Sequence, residues 1–207
     1  MNINDIAGPS EIPDSFLGVM RAIFFKQAEL MTKYKEIEQL PAAPVSLHTA
    51  SGQRIIKDFA WRTVEELTES AEAWEKHGED AAISRDHALE ELADAVHFFV
   101  ELCIFAGLTP DQCAGPIIEL VWTDDLAVVN AYWTFVKKLG IAMNFLRNKA
   151  WKQSQVPTDE RRFRLALIEA SDALMGIWGA LRCSKDDLYT FYMKKHAVNT
   201  FRQRSKY

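Results

Sequence analysis

Apolar residues recur at intervals of three and four along most of the chain, with polar residues between them. In the first such segment, Phe16, Met20, Phe24, Gln27 and Met31 fall on one side of a helix that we expect over residues 16–40. The strict alternation of apolar and polar residues that marks a half-buried strand does not compete anywhere along the chain. The pattern therefore predicts an all-α fold.

Capping residues and helix breakers divide the pattern into about six or seven helices. The expected N-caps are Asp14, Ser51, Ser84 and Thr109, and the expected stops are Pro41, Pro44, Gly78 and Gly107. Further helices are expected over about 53–77, 85–106, 124–151 and 159–182, with a short one from Pro110 and a last one from Ser184. Short capped turns favour a helical bundle. We expect a single domain over residues 1–207, in which residues 120–184 form a helical insertion or a lid.

The composition is that of an ordinary globular protein and excludes two classes of binding protein. The 207 residues are 48% hydrophobic and 26% charged. The two common glycine-rich phosphate loops, G-x-G-x-x-G and G-x-x-x-x-G-K-[ST], are both absent from the sequence. A formal net charge of -5 argues against binding nucleic acid through its backbone, which requires a net basic field.

Cysteine usage and hydropathy indicate the compartment. The three cysteines, Cys103, Cys113 and Cys183, form no C-x-x-C pair, so we expect neither a disulfide framework nor a zinc site. The most apolar stretch, residues 98–108, is shorter than the ~18 residues that span a membrane, and Glu101 interrupts it. We therefore expect no membrane association and a reduced, cytoplasmic setting.

Two pairs of carboxylates stand out on the second and third predicted helices. Glu66 and Glu69 are three residues apart, as are Glu91 and Asp94, so each pair shares one helix face. If the helices are antiparallel and the pairs face each other, four carboxylates meet, and such a cluster needs cations. Oxygen ligands favour Mg²⁺, with Mn²⁺ as a substitute. The alternative is that both pairs are solvated surface residues.

His97 offers a competing metal site. Asp94-x-x-His97 matches one half of the acid-x-x-His arrangement of di-iron bundles, but the sequence has no second such element. We therefore expect His97 to lie in the core or behind the metal ligands. Glu101, one turn further, is expected either to hydrogen-bond His97 or to be solvated.

The C-terminal helix carries a row of phosphate-binding residue types. Lys195, Asn199 and Arg202 are spaced by four and three residues, so they share one face. A lysine, an amide and a forked guanidinium suit a polyphosphate. Cations in a last helical turn also simply complement the helix dipole.

These motifs together resemble the all-α nucleoside triphosphate pyrophosphohydrolases, the superfamily of MazG-like enzymes and dimeric dUTPases. Glu66-x-x-Glu69 is followed, after 21 residues, by Glu91-x-x-Asp94, in the order and spacing of that superfamily's metal signature. The segments VEELTESAEAW and EELADAVHFFVELCIFAGLTPDQ are similar to its two acidic helices. KKHAVNTFRQRSKY is similar to the closing motif of dimeric dUTPases and phage dCTPase-dUTPases, which MazG proteins lack.

The resemblance implies a role for each matching residue. The four acidic residues become Mg²⁺ ligands, with Glu66 also the expected general base, and Gln27 faces the base. Trp61 and Phe24 suit either base stacking or the core, and the segment around Asn148 is similar to one near the phosphates. The expected substrate-binding residues are Gln27, Trp61, Lys149, Trp151, Lys195, His196, Asn199, Arg202, Gln203 and Tyr207.

The sequence departs from the family pattern at positions that bear on base choice. His196 stands where the family usually has Asn, and Lys206 stands where it has Gly. Met31 and Thr32 follow Gln27 where the family tends to have Asn and Asp. Whether the enzyme uses dUTP alone, or also or preferentially dCTP, therefore stays open.

The implied function is Mg²⁺-dependent hydrolysis of a pyrimidine deoxynucleoside triphosphate, foremost dUTP, to the monophosphate and pyrophosphate. The resemblance implies a homodimer in a bacterial or phage-infected host cytoplasm, where it would exclude uracil from DNA or reshape the nucleotide pool. Two alternatives stay open. One is a MazG-like pyrophosphohydrolase of other nucleotides, and the other is a helical scaffold without activity.

Overall fold

The computed structural model describes residues 11–76, 81–115, 125–147 and 157–204. These ranges hold seven helices and no strand, as the all-α prediction requires. The helices are α1 Phe16–Ile37, α2 Ala50–Glu75, α3 Ala81–Phe105, α4 Pro110–Cys113, α5 Asp125–Phe145, α6 Glu160–Ala180 and α7 Lys185–Arg204. None of the helices in these ranges combines the length and the apolar character that crossing a membrane requires.

Three predicted helix starts are wrong by a few residues. The N-cap of α1 is Ser15, not Asp14, because the Ser15 hydroxyl accepts the Gly18 amide. Thr49, not Ser51, caps α2 by accepting the Gly52 amide. Ser84 lies inside α3, which begins at Ala81. In each case a helix begins earlier or later than a single capping residue suggests, because several adjacent Ser, Thr and Asp residues can serve as caps.

Two predicted helix ends are also wrong: α1 ends at Ile37, before the predicted stop at Pro41, and α5 ends at Phe145 although its helix was expected to continue to about residue 151. The turns after α3 and at the starts of α4 and α7 follow the predicted chemistry. Thr109 and Gln112 form a capping box at α4, and Ser184 and Asp187 bond each other reciprocally at the start of α7. Gly107 has a φ of 74° after α3, a left-handed conformation that suits glycine. Gly78 lies outside the described residues.

Helices α2 and α3 form an antiparallel pair that runs through the middle of the bundle. Ser70 near the end of α2 donates a hydrogen bond to the Ala88 carbonyl near the start of α3. The Phe59 ring, near the start of α2, contacts the rings of Phe98 and Phe105 near the end of α3. Helix α7 packs against both α1 and α3, and α5 packs against α6. This arrangement places one face of α3 opposite α2, α1 and α7.

Gly52 holds the start of α2 against the preceding loop. A Cβ at this position would overlap the Ser46 carbonyl oxygen, which belongs to the backbone and cannot move aside without breaking the turn. Ser46 also accepts from the backbone and hydroxyl of Thr49, the N-cap of the same helix. Only glycine allows the loop to approach the helix this closely.

We therefore predict opposite effects for two Gly-to-Ala substitutions. Gly52→Ala should lower the free energy of unfolding by about 2–3 kcal/mol because of the overlap with Ser46. Gly140→Ala should raise it by about 0.5–1 kcal/mol, because Gly140 lies in a helix interior with open space around a Cβ. Urea unfolding of the two variants checks both, and equal effects would contradict the described loop geometry.

Candidate active site

Three carboxylates meet where α2 faces α3. Glu66 comes from α2, and Glu91 and Asp94 come from consecutive turns of α3. One oxygen from each of the three lies within 4.8 Å of the others, close enough to share a metal ion. All three residues are half-buried. Glu69, the fourth predicted ligand, lies one turn along α2, exposed and outside this group.

The apolar packing of the two helices forces these acids together. Leu67 and Leu92, each next to one of the acids, are buried in the core, so the neighbouring Glu66 and Glu91 lie at the edge of the α2–α3 contact. Because α2 and α3 are antiparallel, the acidic turn of one lies opposite that of the other. The cluster is thus a consequence of the helix pairing that the apolar pattern dictates.

The like charges and their partial burial perturb the carboxylates. Burial, followed by the charges of Asp94, Glu69 and Glu91, raises the pKa of Glu66 to about 7. Burial also raises the pKa of Asp94, although Lys195 opposes that rise. The negative charges of the three carboxylates are therefore not fully neutralised, and this favours binding of a divalent cation.

Lys195 of α7 supplies part of that missing charge. Its Nζ lies 2.6 Å from Oδ2 of Asp94 and 3.8 Å from Oε2 of Glu91. Burial disfavours the charged form of Lys195, yet these carboxylates outweigh burial and raise its pKa. A protein ammonium group thus contacts the oxygens that would ligate a metal.

A cavity of about 230 Å³ opens beside the carboxylates. Glu66 and Asp94 line it from α2 and α3, while Asn199 and Arg202 reach it from α7. The rest of its wall comes from Gln27, Leu30, Tyr34, Glu38, Arg62, His97, Phe98 and Glu101. The cavity lining therefore combines carboxylates that favour a bound cation with many hydrogen-bonding groups. A nucleotide needs both.

Gln27 is the centre of a buried hydrogen-bond network in that wall. Its Nε2 donates to Glu101 Oε1 over 2.6 Å, and its Oε1 lies 2.6 Å from His97 Nδ1 and 2.7 Å from the Tyr192 hydroxyl. Burial lowers the pKa of His97 to about 3, so the ring is neutral. A neutral His97 that donates through Nδ1 leaves its Nε2 unprotonated, and this buried atom has no partner among the described residues.

Most of the predicted substrate-binding residues that the structure describes lie in or beside the cavity, and Trp61 lies away from it. Gln27, Asn199 and Arg202 line the cavity, and Lys195 touches the acids. The rings of His196, His97 and Tyr192 stack beside the cavity wall, while Gln203 lies beside Tyr34. Trp61 does not line the cavity, and Lys149, Trp151 and Tyr207 lie outside the described residues.

The structure decides several alternatives that the sequence left open for single residues. Trp61 is 62% exposed and donates to Glu65, so the core alternative is wrong for it, whereas Phe24 is buried in the core. His97 is buried and lies outside the carboxylate group, as expected. Glu101 is neither solvated nor bonded to His97: it is 6% exposed and bonded to Gln27.

Sequence reasoning missed part of the cavity wall. Tyr34, Glu38 and Arg62 all line the cavity, and Arg62 pairs with Glu38 over 2.7 Å. The spacing of Asp94, His97 and Glu101 by three and four residues places them on one face of α3, which is a signal for Glu101 but not for Tyr34, Glu38 or Arg62. An acid in an otherwise apolar stretch pointed to a buried, functional position.

Comparison with known proteins gives a single finding. The family model described as dUTPase matches residues 61–207, which include both acidic motifs and all of α7. No curated protein and no solved structure matches the chain. The matched range, the all-helical fold and the carboxylate group agree, and the chain belongs to the dUTPase family of nucleoside triphosphate diphosphatases, whose common function is the hydrolysis of dUTP.

Proposed function

We propose that this protein is a Mg²⁺-dependent enzyme that hydrolyses dUTP, and also dCTP, to the nucleoside monophosphate and pyrophosphate. The observation that carries the proposal is the half-buried group of Glu66, Glu91 and Asp94, two of which, Glu66 and Asp94, line a cavity of about 230 Å³. Carboxylate oxygens are hard ligands that suit Mg²⁺, and Mn²⁺ as its substitute. Glu69, next to this group, is the fourth ligand that the family resemblance implies.

The residues around the cavity divide the reaction between them. A bound divalent ion supplies polarisation of the phosphate oxygens and a more acidic water. Glu66 takes the proton of the attacking water as that water adds to phosphorus and the phosphoanhydride bond breaks, releasing pyrophosphate. Burial and the neighbouring carboxylates raise its pKa to about 7, which favours uptake of a proton by this residue.

Lys195 and Arg202 would hold the negative charge of the leaving pyrophosphate. Lys195 now contacts Asp94, so metal binding would release its ammonium group to face phosphate oxygens instead. Asn199, on the same face of α7, lies at the cavity for the sugar. Gln27, which also lines the cavity, would face the base, while roles for Trp61, His196, Gln203, Lys149, Trp151 and Tyr207 stay predictions.

The test of this function is pyrophosphate release from dUTP, dCTP, dTTP, dATP and dGTP with Mg²⁺. We expect turnover confined to dUTP and dCTP, and none after chelation of the metal. Glu66→Gln should lower kcat by about 10²–10⁴-fold while nucleotide binding is retained, because the base is lost but the cavity is not.

Glu72→Gln is the matched control, because Glu72 lies on the exposed side of the same helix and pairs with Lys76. It should leave kcat unchanged. Turnover of all five nucleotides would favour the MazG-like alternative, and near-normal turnover by Glu66→Gln would remove Glu66 from its proposed role.

We also propose that two copies of the chain associate through α5. Leu126, Val129, Trp133 and Ile141 form one apolar stripe on this helix, each at least 45% exposed. The opposite side of α5 packs on α6, so the stripe is not needed for the fold of one copy. An exposed stripe of this kind is typical of a surface that another protein covers.

Trp133→Glu should shift the protein from dimer to monomer in sedimentation velocity, because a charge would be buried at the contact. Phe25→Glu is the control, since Phe25 is equally exposed but lies on α1. A monomer in both variants and in the parent protein would contradict association through α5.

A further inference from the structure

The buried carboxyl of Glu101 takes no part in the proposed hydrolysis. It is 6% exposed, it lines the cavity, and it lies two turns after Asp94 on the same helix, α3. Gln27 engages only one of its two oxygens, Oε1, over 2.6 Å. The second oxygen is therefore the atom that a base in the cavity can meet.

We propose that Glu101 determines base specificity: its second oxygen offers either an O–H donor or a bare acceptor to the Watson–Crick edge of the pyrimidine, so that one cavity accepts both uracil and cytosine. This inference rests on the proposed function, in which the base lies against Gln27. It goes beyond that function by assigning the choice of base to a residue and to a chemical state of that residue.

The two bases present opposite hydrogen-bonding groups at the position concerned. Uracil carries a carbonyl oxygen at C4, which accepts, whereas cytosine carries an amino group there, which donates. A protonated carboxyl can donate to the uracil oxygen, and an ionised carboxylate can only accept, here from the cytosine amino group. The protonation state of Glu101 therefore selects between them.

Both states of Glu101 are accessible near neutral pH. Burial raises its pKa to about 8, the Gln27 hydrogen bond lowers it, Glu38 raises it and Arg62 lowers it. The Tyr34 and Tyr192 hydroxyls that surround it have raised pKa values, and His97 stays neutral. Among these neighbours, Glu101 is the group that changes charge across this pH range.

The rest of the network keeps the Gln27 amide in a fixed orientation while Glu101 titrates. Tyr192 and His97 both donate to Gln27 Oε1, so Nε2 must face Glu101. That bond persists in either state of the acid, because a protonated carboxyl still has a carbonyl oxygen to accept it. Proton uptake thus changes the group that meets the base without disturbing the wall behind it.

The test is the ratio of kcat/KM for dCTP to kcat/KM for dUTP as a function of pH. Ionisation of the metal ligands and changes in stability affect both nucleotides and cancel in this ratio. We expect the ratio to rise with pH through about 8, by up to about tenfold per pH unit, because the ionised fraction grows as the protonated one falls.

Two variants separate this role from a structural one. In Glu101→Gln the side-chain oxygen can still accept from Gln27, and the amide NH₂ presents a hydrogen-bond donor to the cavity at every pH. The dCTP-to-dUTP ratio of kcat/KM should therefore stay at its low-pH value, favouring dUTP, at every pH. Glu38→Gln removes a charge that raises the Glu101 pKa, so the rise should survive but move to lower pH.

A ratio that does not change with pH in the parent protein, or a pH dependence that survives in Glu101→Gln, would overturn the proposal. Failure to hydrolyse either nucleotide would instead overturn the proposed function. In that case, competition between dCMP and dUMP for binding at the same pH values decides the role of Glu101 alone, with the same expected direction.

Discussion

The repulsion among Glu66, Glu91 and Asp94 is the constraint around which the site is organised. Apolar packing between α2 and α3 brings these acids within 4.8 Å of one another, in a place too buried for water to neutralise them fully. Lys195 of α7 lies against the group, and burial together with the neighbouring carboxylates raises the pKa of Glu66. Both responses are partial substitutes for a divalent cation. The same repulsion among the carboxylates favours binding of a divalent metal ion and, through it, of a triphosphate.

The hydrogen-bond network around Gln27 in the cavity wall meets a different physical requirement. Recognition of a base requires polar groups held without freedom, and burial of such groups is unfavourable unless they bond one another. Gln27 meets this requirement by joining α1 to Glu101 and His97 of α3 and to Tyr192 of α7. Burial disfavours charge in this network: it keeps His97 neutral and raises the pKa of Glu101 to about 8. One helix, α3, thus carries metal ligands on one turn and base-wall residues two turns later.

The sequence predicted the fold well because the determinants of a helical bundle are local. Apolar spacing and capping residues indicated the helices, and the errors concern their ends: the caps of α1 and α2, where Ser15 replaces Asp14 and Thr49 replaces Ser51, the start of α3, and the ends of α1 and α5. The acidic group was also foreseeable, since i and i+3 spacing on two successive apolar helices places the pairs on facing surfaces. Whether Glu69 joins that group depends on the rotation of α2, which spacing alone does not fix.

The base wall could not be predicted in the same way because its contacts join residues distant in sequence. The bond from Gln27 to Glu101 spans 74 positions, and no periodicity reveals it. Similarly, the pairing of Arg62 with Glu38 at the cavity depends on how α1 and α2 cross. Trp61 shows the converse: an aromatic residue at helical spacing on an amphipathic helix suggested either the core or a stacking partner, and its ring is exposed.

The most direct test of the central claim is anomalous diffraction from crystals grown with Mn²⁺ and a non-hydrolysable dUTP analogue. The account predicts a manganese peak about 2.2 Å from oxygens of Glu66, Glu91 and Asp94, with the Lys195 ammonium moved from Asp94 to a phosphate oxygen. Manganese bound elsewhere, or Lys195 still paired with Asp94 beside a bound nucleotide, would contradict it.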